Sequence, residues 1–79
     1  MAITVKLYGT LGRHIKGYTH SKGLTLTHTP GLTPGNILSK LNIPHARVGL
    51  ATVNNNRTTA NQTLPDHCIL KYFQPLFGG

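Results

Sequence analysis

A dense apolar run, Cys-Ile-Leu-Lys-Tyr-Phe, occupies residues 68–73 and limits the folds open to this chain. A run of this length, bounded by turn residues and rich in aliphatic and aromatic side chains, is typical of a buried strand. Its density favours a central place in a sheet. A right-handed crossover through a helix would set this strand beside the first strand and parallel to it. We therefore expect one sheet built around residues 68–73.

Alternating apolar and polar residues predict the other strands. The alternation at residues 3–8 and 24–29 is the pattern of strands with one buried face, and the two are expected to pair as a hairpin. Residues 9–23 between them are predicted to be a long loop. A third strand is expected within 48–53, and residues 57–62 are expected to form a short edge strand or a loop. Asparagines between these two segments predict a turn, because Asn tolerates positive φ.

One short helix is predicted between the second and third strands. Thr33 is a good N-cap, Pro34 suits the first helical position, and Leu32 can pack against Ile37 as a hydrophobic staple. Asn42 offers a C-terminal stop. The order of elements is therefore that of an α+β domain, with a mixed sheet of four or five strands packed on one main helix.

Length and composition exclude several classes of function. A chain of 79 residues buries only about 60–65% of its unfolded surface, which leaves little room for an enclosed active site. Asp66 is its one acidic residue, so hydrolysis by paired carboxylates is excluded. No secretion signal, bilayer-length apolar run or second cysteine is present, and a cytoplasmic location without membrane association is expected. The chain is not expected to be an enzyme.

The diglycine at Gly78-Gly79 indicates that another protein could act on the end of this chain. Glycine has no Cβ, so a terminus made of glycines can be threaded through a narrow channel into another protein's active site. Pro75 cannot donate a ladder hydrogen bond and is expected to free the residues after it. Leu76 and Phe77 would then form an exposed apolar anchor beside the reactive end.

These features together resemble the ubiquitin-like sulfur carriers of the β-grasp fold, over essentially the whole chain. That family includes the small subunit of molybdopterin synthase and the thiamine-biosynthesis sulfur carrier, and the ending here is closer to the molybdopterin type. The family usually has a small residue before the diglycine, where this chain has Phe77. The resemblance rests on residues 5–8, 38–44, 53–54, 64, 66 and 72–79.

The resemblance implies a β-grasp domain at residues 1–75 and a diglycine tail at 76–79. An ATP-dependent activating enzyme would adenylate the Gly79 carboxylate, and a sulfur donor would convert the acyl-adenylate into a thiocarboxylate. The chain would then be a protein co-substrate, with a synthase large subunit as a further partner. It would bind no cofactor itself, since ATP is used by the activating enzyme. The residues implied are Gly79 and Gly78 at the reactive end, and Phe73, Pro75, Leu76 and Phe77 in partner binding.

Two alternatives stay open from the residues themselves. A ubiquitin-like modifier would use the same tail and the same activation but would join Gly79 to a lysine amine. A small basic nucleic-acid-binding module would explain the formal charge of +7, since some of the cations surround one aromatic residue in a loop, although the other cations are dispersed along the chain. This second alternative is the less favoured, because the aromatic residues Tyr8, Tyr72 and Phe73 are accounted for by strand packing. The loop residues concerned are Arg13, His14, Lys16, Tyr18, His20 and Lys22.

The remaining reactive side chains favour no further site. The histidines are not spaced as metal ligands, so no metal site is predicted. Cys68 is expected to be a half-buried residue at the head of the last strand rather than a nucleophile, because no acid and base flank it.

Overall fold

A single sheet of five strands carries the fold, and the computed structural model describes it over residues 1–75. The strands are β1 (Ala2–Leu7), β2 (Leu24–Thr27), β3 (Leu50–Val53), β4 (Asn56–Thr58) and β5 (Ile69–Phe73). One α-helix, α1 (Pro34–Lys40), lies between β2 and β3 in the chain. Two short 3-10 helices complete the elements, at Gly9–His14 and His45–Arg47.

The strand order across the sheet is β2-β1-β5-β3-β4. β5 lies at the centre and runs parallel to β1, whereas the other neighbouring pairs are antiparallel. The register aligns Leu7 with Tyr72 across β1 and β5, and Leu50 with Phe73 across β3 and β5. The predicted central, parallel position of the last strand is confirmed.

One face of the sheet packs against the helix side of the molecule. Along β1, buried and half-buried residues alternate, and the buried ones enter the core together with Leu70 and Tyr72 of β5. The Tyr72 hydroxyl donates a hydrogen bond of 2.6 Å to the carbonyl oxygen of Pro34, which joins the central strand to the first turn of α1. The buried core is Ile3, Val5, Leu7, Leu11, Leu32, Ile37, Leu38, Ile43, Leu64, Cys68, Leu70 and Tyr72.

Both ends of the helix follow the sequence signals. The Thr33 hydroxyl accepts from the Asn36 backbone N–H at 3.2 Å, and the Asn36 side chain accepts from the Thr33 N–H at 3.1 Å, so a reciprocal capping box begins α1. Pro34 occupies the first turn, where its missing N–H costs nothing. Just past the helix, Asn42 adopts a φ of 58°, the left-handed conformation that ends many helices.

A tight turn joins β3 to β4. Asn54 and Asn55 have φ values of 49° and 70°, which match the twist of a two-residue hairpin. The Asn54 side-chain oxygen also accepts from the Ile69 N–H at 2.9 Å, so the turn is tied to the start of β5. The predicted asparagine turn is confirmed. Residues 57–62 were expected to form a short edge strand or a loop, and β4 occupies only the start of that segment.

Two predictions about buried residues were incomplete or wrong. Residues 9–23 are more than a loop, because the 3-10 helix Gly9–His14 inserts Leu11 into the core, with 1% of its surface exposed. Cys68 was expected to be half-buried and is instead 1% exposed. The Thr4 N–H donates to the Cys68 carbonyl at 3.0 Å, so pairing with β1 already begins at Cys68 and carries its side chain into the core.

Within residues 1–75, no helix combines the length and the apolar character needed to cross a membrane.

Candidate functional site

The candidate site lies where the chain leaves the end of β5. We call residues 73–75 (Phe73, Gln74 and Pro75) the tail root. Gly79, Gly78, Leu76 and Phe77 lie outside the residues that the structure describes, so their roles stay predictions. The other two predicted partner-binding residues, Phe73 and Pro75, are both half-buried parts of the tail root.

Gly49 holds one side of the tail root. Its N–H donates a 2.8 Å hydrogen bond to the Phe73 carbonyl oxygen, which extends the pairing of β3 with β5. A Cβ at position 49 would lie 2.7 Å from the Pro75 Cα and 3.0 Å from the Pro75 nitrogen. Only glycine therefore lets the backbone of the tail root pass this close.

Thr10 and Gly9 hold the other side. The Gln74 side-chain oxygen accepts two hydrogen bonds from Thr10, one from the backbone N–H at 2.7 Å and one from the hydroxyl at 2.8 Å. The same side chain lies directly over Gly9, whose φ of 66° also favours glycine. Gln74 is thus clamped to the turn that follows β1.

Tyr8 and Phe73 form an aromatic pair on the sheet face opposite the helix. Their ring centroids are 4.6 Å apart with an interplanar angle of 22°, a stacked arrangement. The His20 ring meets Tyr8 edge-on, at 4.6 Å and 78°. Strand packing had been expected to account for Tyr8, Tyr72 and Phe73, and it does so on both faces of the sheet. Tyr72 packs in the core, whereas Tyr8 and Phe73 pack on each other on the opposite face.

We call this sheet face the open face. The register sets Thr4 beside Ile69, Lys6 beside Lys71, and Leu50 beside Phe73, all on the side away from α1. Ile69 keeps 44% of its surface exposed, which is unusual for a large aliphatic residue in a central strand. An exposed Ile, a stacked aromatic pair and Leu50 therefore follow the central strand up to the tail root.

The one acidic residue lies at the other end of β5. The Asp66 carboxylate accepts from the N-terminal ammonium at 3.0 Å and from the His67 N–H at 2.9 Å. Desolvation by itself would raise the pKa of Asp66. The hydrogen bonds from the ammonium and from the His67 N–H, together with the nearby His67 ring, outweigh it, and the pKa lies below its usual 3.8.

Cys68 and the histidines, to which the sequence assigned no site, do not assemble into one within residues 1–75. Burial raises the pKa of the Cys68 thiol, which keeps it protonated and unreactive. In the part of the chain that the structure describes, no group of three or more His, Cys, Asp or Glu side chains is placed to hold a metal ion.

Four residues that hold the tail root in place were not predicted from the sequence: Gly9, Thr10, Gly49 and Gln74. Gly9 and Thr10 had been placed in the long loop at residues 9–23, and Gly49 within the segment 48–53 that was expected to contain the third strand. Their role depends on contacts with residues far away in the chain. The one local signal is that a glycine comes immediately before β3 and another shortly after β1, at the end of the sheet where the tail departs.

Comparison with known proteins supports the fold. The crystal structure of SAMP1 from Haloferax volcanii is similar to the whole of this chain over its own whole length, with a TM-score of 0.72 and 15% sequence identity. No protein-family model and no curated protein sequence matches the chain. The sheet order, the single helix and this likeness identify the fold as a ubiquitin-like β-grasp.

Proposed function

We propose that this chain is a ubiquitin-like sulfur carrier whose Gly79 carboxylate is adenylated and then converted to a thiocarboxylate. The sulfur would serve molybdopterin-type or thiamine cofactor biosynthesis. The chain itself would be a co-substrate and would supply no catalytic group. Its partners would be an ATP-dependent activating enzyme, a sulfur donor and the large subunit of a synthase, and the chemistry would take place in the cytoplasm.

The clamped tail root is the observation that carries this proposal. The central strand ends in Phe73, and Gln74 and Pro75 are held from both sides by Thr10 and Gly49. A tail that starts from a fixed point presents its tip to a partner at a smaller cost in conformational entropy. A carrier needs such a starting point, whereas a frayed terminus does not.

The length of the tail constrains the partner. The residues from Leu76 to Gly79 extend at most about 14 Å beyond Pro75, at roughly 3.5 Å per residue. An active site that reaches the Gly79 carboxylate must therefore come within that distance of the tail root. The activating enzyme would then contact the folded domain as well as the tail, on surfaces around Phe73 and Pro75.

The chemistry explains why activation is needed. A carboxylate is a poor electrophile, and transfer of AMP from ATP to Gly79 releases pyrophosphate and installs a good leaving group. A sulfur donor would then displace AMP from the carbonyl carbon and leave the thiocarboxylate. Glycine at both final positions keeps the path to that carbonyl free of side chains.

Intact mass spectrometry of the protein isolated from its native cells tests the proposal. We expect a species in which one oxygen is replaced by sulfur, and fragmentation should map the change to Gly79. The variant lacking Gly78 and Gly79 is the matched control and should stay unmodified. An unmodified wild-type terminus, both in native cells and after co-expression with the activating enzyme, would overturn the sulfur-carrier proposal.

Conjugation to lysine is the second candidate, and the SAMP1 likeness favours it. SAMP1 is a ubiquitin-like small archaeal modifier, and it shares the fold over the whole chain. A conjugate has a distinct signature, because Lys71 is the last basic residue. Trypsin would leave residues 72–79 attached to the modified lysine. Peptides carrying that remnant, absent from cells that make the variant lacking both glycines, would assign the modifier function.

A further inference from the structure

A row of basic side chains crosses the open face beside the aromatic pair. Lys6 and Lys71 are register partners on the adjacent strands β1 and β5. Lys71 is aligned with Thr52 of β3, and Thr52 with Arg57 of β4. Neighbouring strands lie about 4.8 Å apart, so this cationic row (Lys6, Lys71 and Arg57) spans roughly 15 Å across the sheet.

Nothing acidic in residues 1–75 compensates this row. The one acid, Asp66, is paired with the N-terminal ammonium. It lies in the turn before β5 begins, outside the strands that carry the row. Like charges placed side by side on a sheet destabilise it, so the Lys6–Lys71 pair carries a cost to folding. No carboxylate in residues 1–75 lies beside the pair to offset that cost.

The polar groups around the row are only partly satisfied. The Lys71 ammonium donates to the Asn55 side-chain oxygen at 3.0 Å, a neutral acceptor that leaves its charge in place. The Thr52 hydroxyl, between Lys71 and Arg57 in the register, is covered from solvent and has no hydrogen-bond partner in the described part of the chain. A partner's carboxylate placed over this row could accept hydrogen bonds from Lys71 and Arg57.

We propose that the open face docks on an acidic surface of the activating enzyme that takes up the tail; this rests on the function proposed above. The aromatic pair includes Phe73 of the tail root, and the cationic row lies one side-chain step, about 6.6 Å, further back along the strands. One partner surface therefore covers both. It would place an apolar patch over Tyr8, Phe73 and Leu50 and carboxylates over Lys6, Lys71 and Arg57. The charge of this face would steer the encounter and fix its register.

The arrangement favours a protein over a nucleic acid as the occupant. Single-stranded nucleic acids bind by stacking bases on free aromatic faces. Tyr8 and Phe73 instead stack on each other, and His20 meets the Tyr8 ring edge-on. The exposed Ile69 and half-buried Leu50 are suited to an apolar protein contact. Binding of a single-stranded oligonucleotide is measured below, to distinguish a nucleic acid from a protein partner.

Trapping of the activated terminus tests the proposal. The full chain is incubated with ATP and hydroxylamine in an extract of the cells that make it. Hydroxylamine displaces AMP from the acyl-adenylate, and mass spectrometry follows the Gly79 hydroxamate. We compare the wild type with Lys6→Glu/Lys71→Glu, and with the neutral pair Lys6→Gln/Lys71→Gln. The matched control is Lys40→Glu/Arg47→Glu, which makes the same charge change away from the open face.

We expect the initial rate to fall at least about tenfold in the Glu pair, by a smaller factor in the Gln pair, and less than about twofold in the control. Raising the salt from about 0.05 to 0.5 M should slow the wild type more than the Gln pair, because screening removes an attraction that this pair already lacks. Circular dichroism and thermal midpoints check that each variant is folded.

Three results would overturn the proposal, and they are distinguishable. Hydroxamate formation that is equal in the open-face variants and the control would remove the acidic docking surface but keep the proposed function. A complete lack of hydroxamate on the wild type would overturn the proposed function and this inference with it. Tight, salt-sensitive binding of a single-stranded oligonucleotide, measured by fluorescence anisotropy and lost in the Glu pair, would assign the row to nucleic acid.

Discussion

At the scale of single residues, the site depends on two glycines that allow close contact. Gly9 lies beneath the Gln74 side chain, and Gly49 lies against the Pro75 backbone. Neither glycine is distinguished by its neighbours in the sequence, since the residue that needs the space is far away along the chain in each case. The position of Phe73 on the open face, by contrast, follows from counting along β5 once Tyr72 is known to be buried.

Replacement of Gly49 by Ala should displace the tail root. The new methyl group would lie within contact distance of Pro75 backbone atoms, so the root must shift or the Phe73 carbonyl must lose its partner. We expect a loss of about 1–3 kcal/mol of unfolding free energy in urea, with faster exchange of the backbone amide at position 49. Gly17→Ala is the control, because a Cβ added at position 17 would have no neighbouring atom within 4 Å. It should lower stability by about 1 kcal/mol through its positive φ alone and leave the tail root unchanged.

The Asp66 carboxylate should make stability depend on acid pH. Its pKa is lowered in the folded state, so its contribution is fully present above the unfolded pKa of 3.8 and is lost as the pH falls through the folded value. Asp66→Asn should therefore have a lower thermal midpoint than the wild type near pH 6. The difference should vanish near pH 2. A difference that is constant over this range would show that the charge of Asp66 is not responsible.

At the scale of elements, the sequence predicted what depends on local pattern and on chain topology. The capping residues around Thr33, the Asn54-Asn55 turn and the central place of β5 all belong to this class. The 3-10 helix Gly9–His14 was not predicted, because its glycines and single apolar residue are locally indistinguishable from a loop. The burial of Leu11 depends on its packing against strands that are distant in the chain, so the residues around it in the sequence do not predict it.

The contact between β5 and α1 should be sensitive to a single atom. Tyr72→Phe removes the hydroxyl that donates to the Pro34 carbonyl in the core, and burial already raises the pKa of Tyr72, which keeps that hydroxyl protonated. We expect a loss of about 1–2 kcal/mol of unfolding free energy in urea, with the slope of the transition unchanged. Tyr18→Phe is a comparison, since its hydroxyl contacts the Leu7 backbone at a half-buried position. An equal loss in both variants would argue against a special role for the strand–helix contact.

At the scale of the whole molecule, the dominant property is uncompensated positive charge. The formal charge of +7 comes from eight basic residues and one acid, and that acid is at the end of β5 remote from the tail root. Self-repulsion of this kind disfavours the compact state. The positive charge that would attract an acidic partner therefore destabilises the isolated domain.

Salt should consequently stabilise the isolated protein. Between about 0.01 and 0.15 M NaCl the Debye length shortens from about 30 to about 8 Å, so repulsion across the open face is screened. We expect the thermal midpoint to rise by a few degrees over this range. The rise should be smaller for Lys6→Gln/Lys71→Gln, in which the adjacent cations are absent. A midpoint that falls with salt in the wild type would contradict this account.

The parallel pairing of β1 with β5 also bears on how the molecule comes into being. The two central strands are separated in the chain by all of residues 8–68, so the middle of the sheet is closed by contacts of very long range. Such contacts form slowly. While a ribosome is still making the chain, β1 and β3 have no partner on their inner edges until residues 69–73 emerge. The strand that completes the sheet is also the strand from which the tail leaves. Premature termination before residue 69 would therefore give an aggregation-prone fragment that lacks both the central strand and the diglycine.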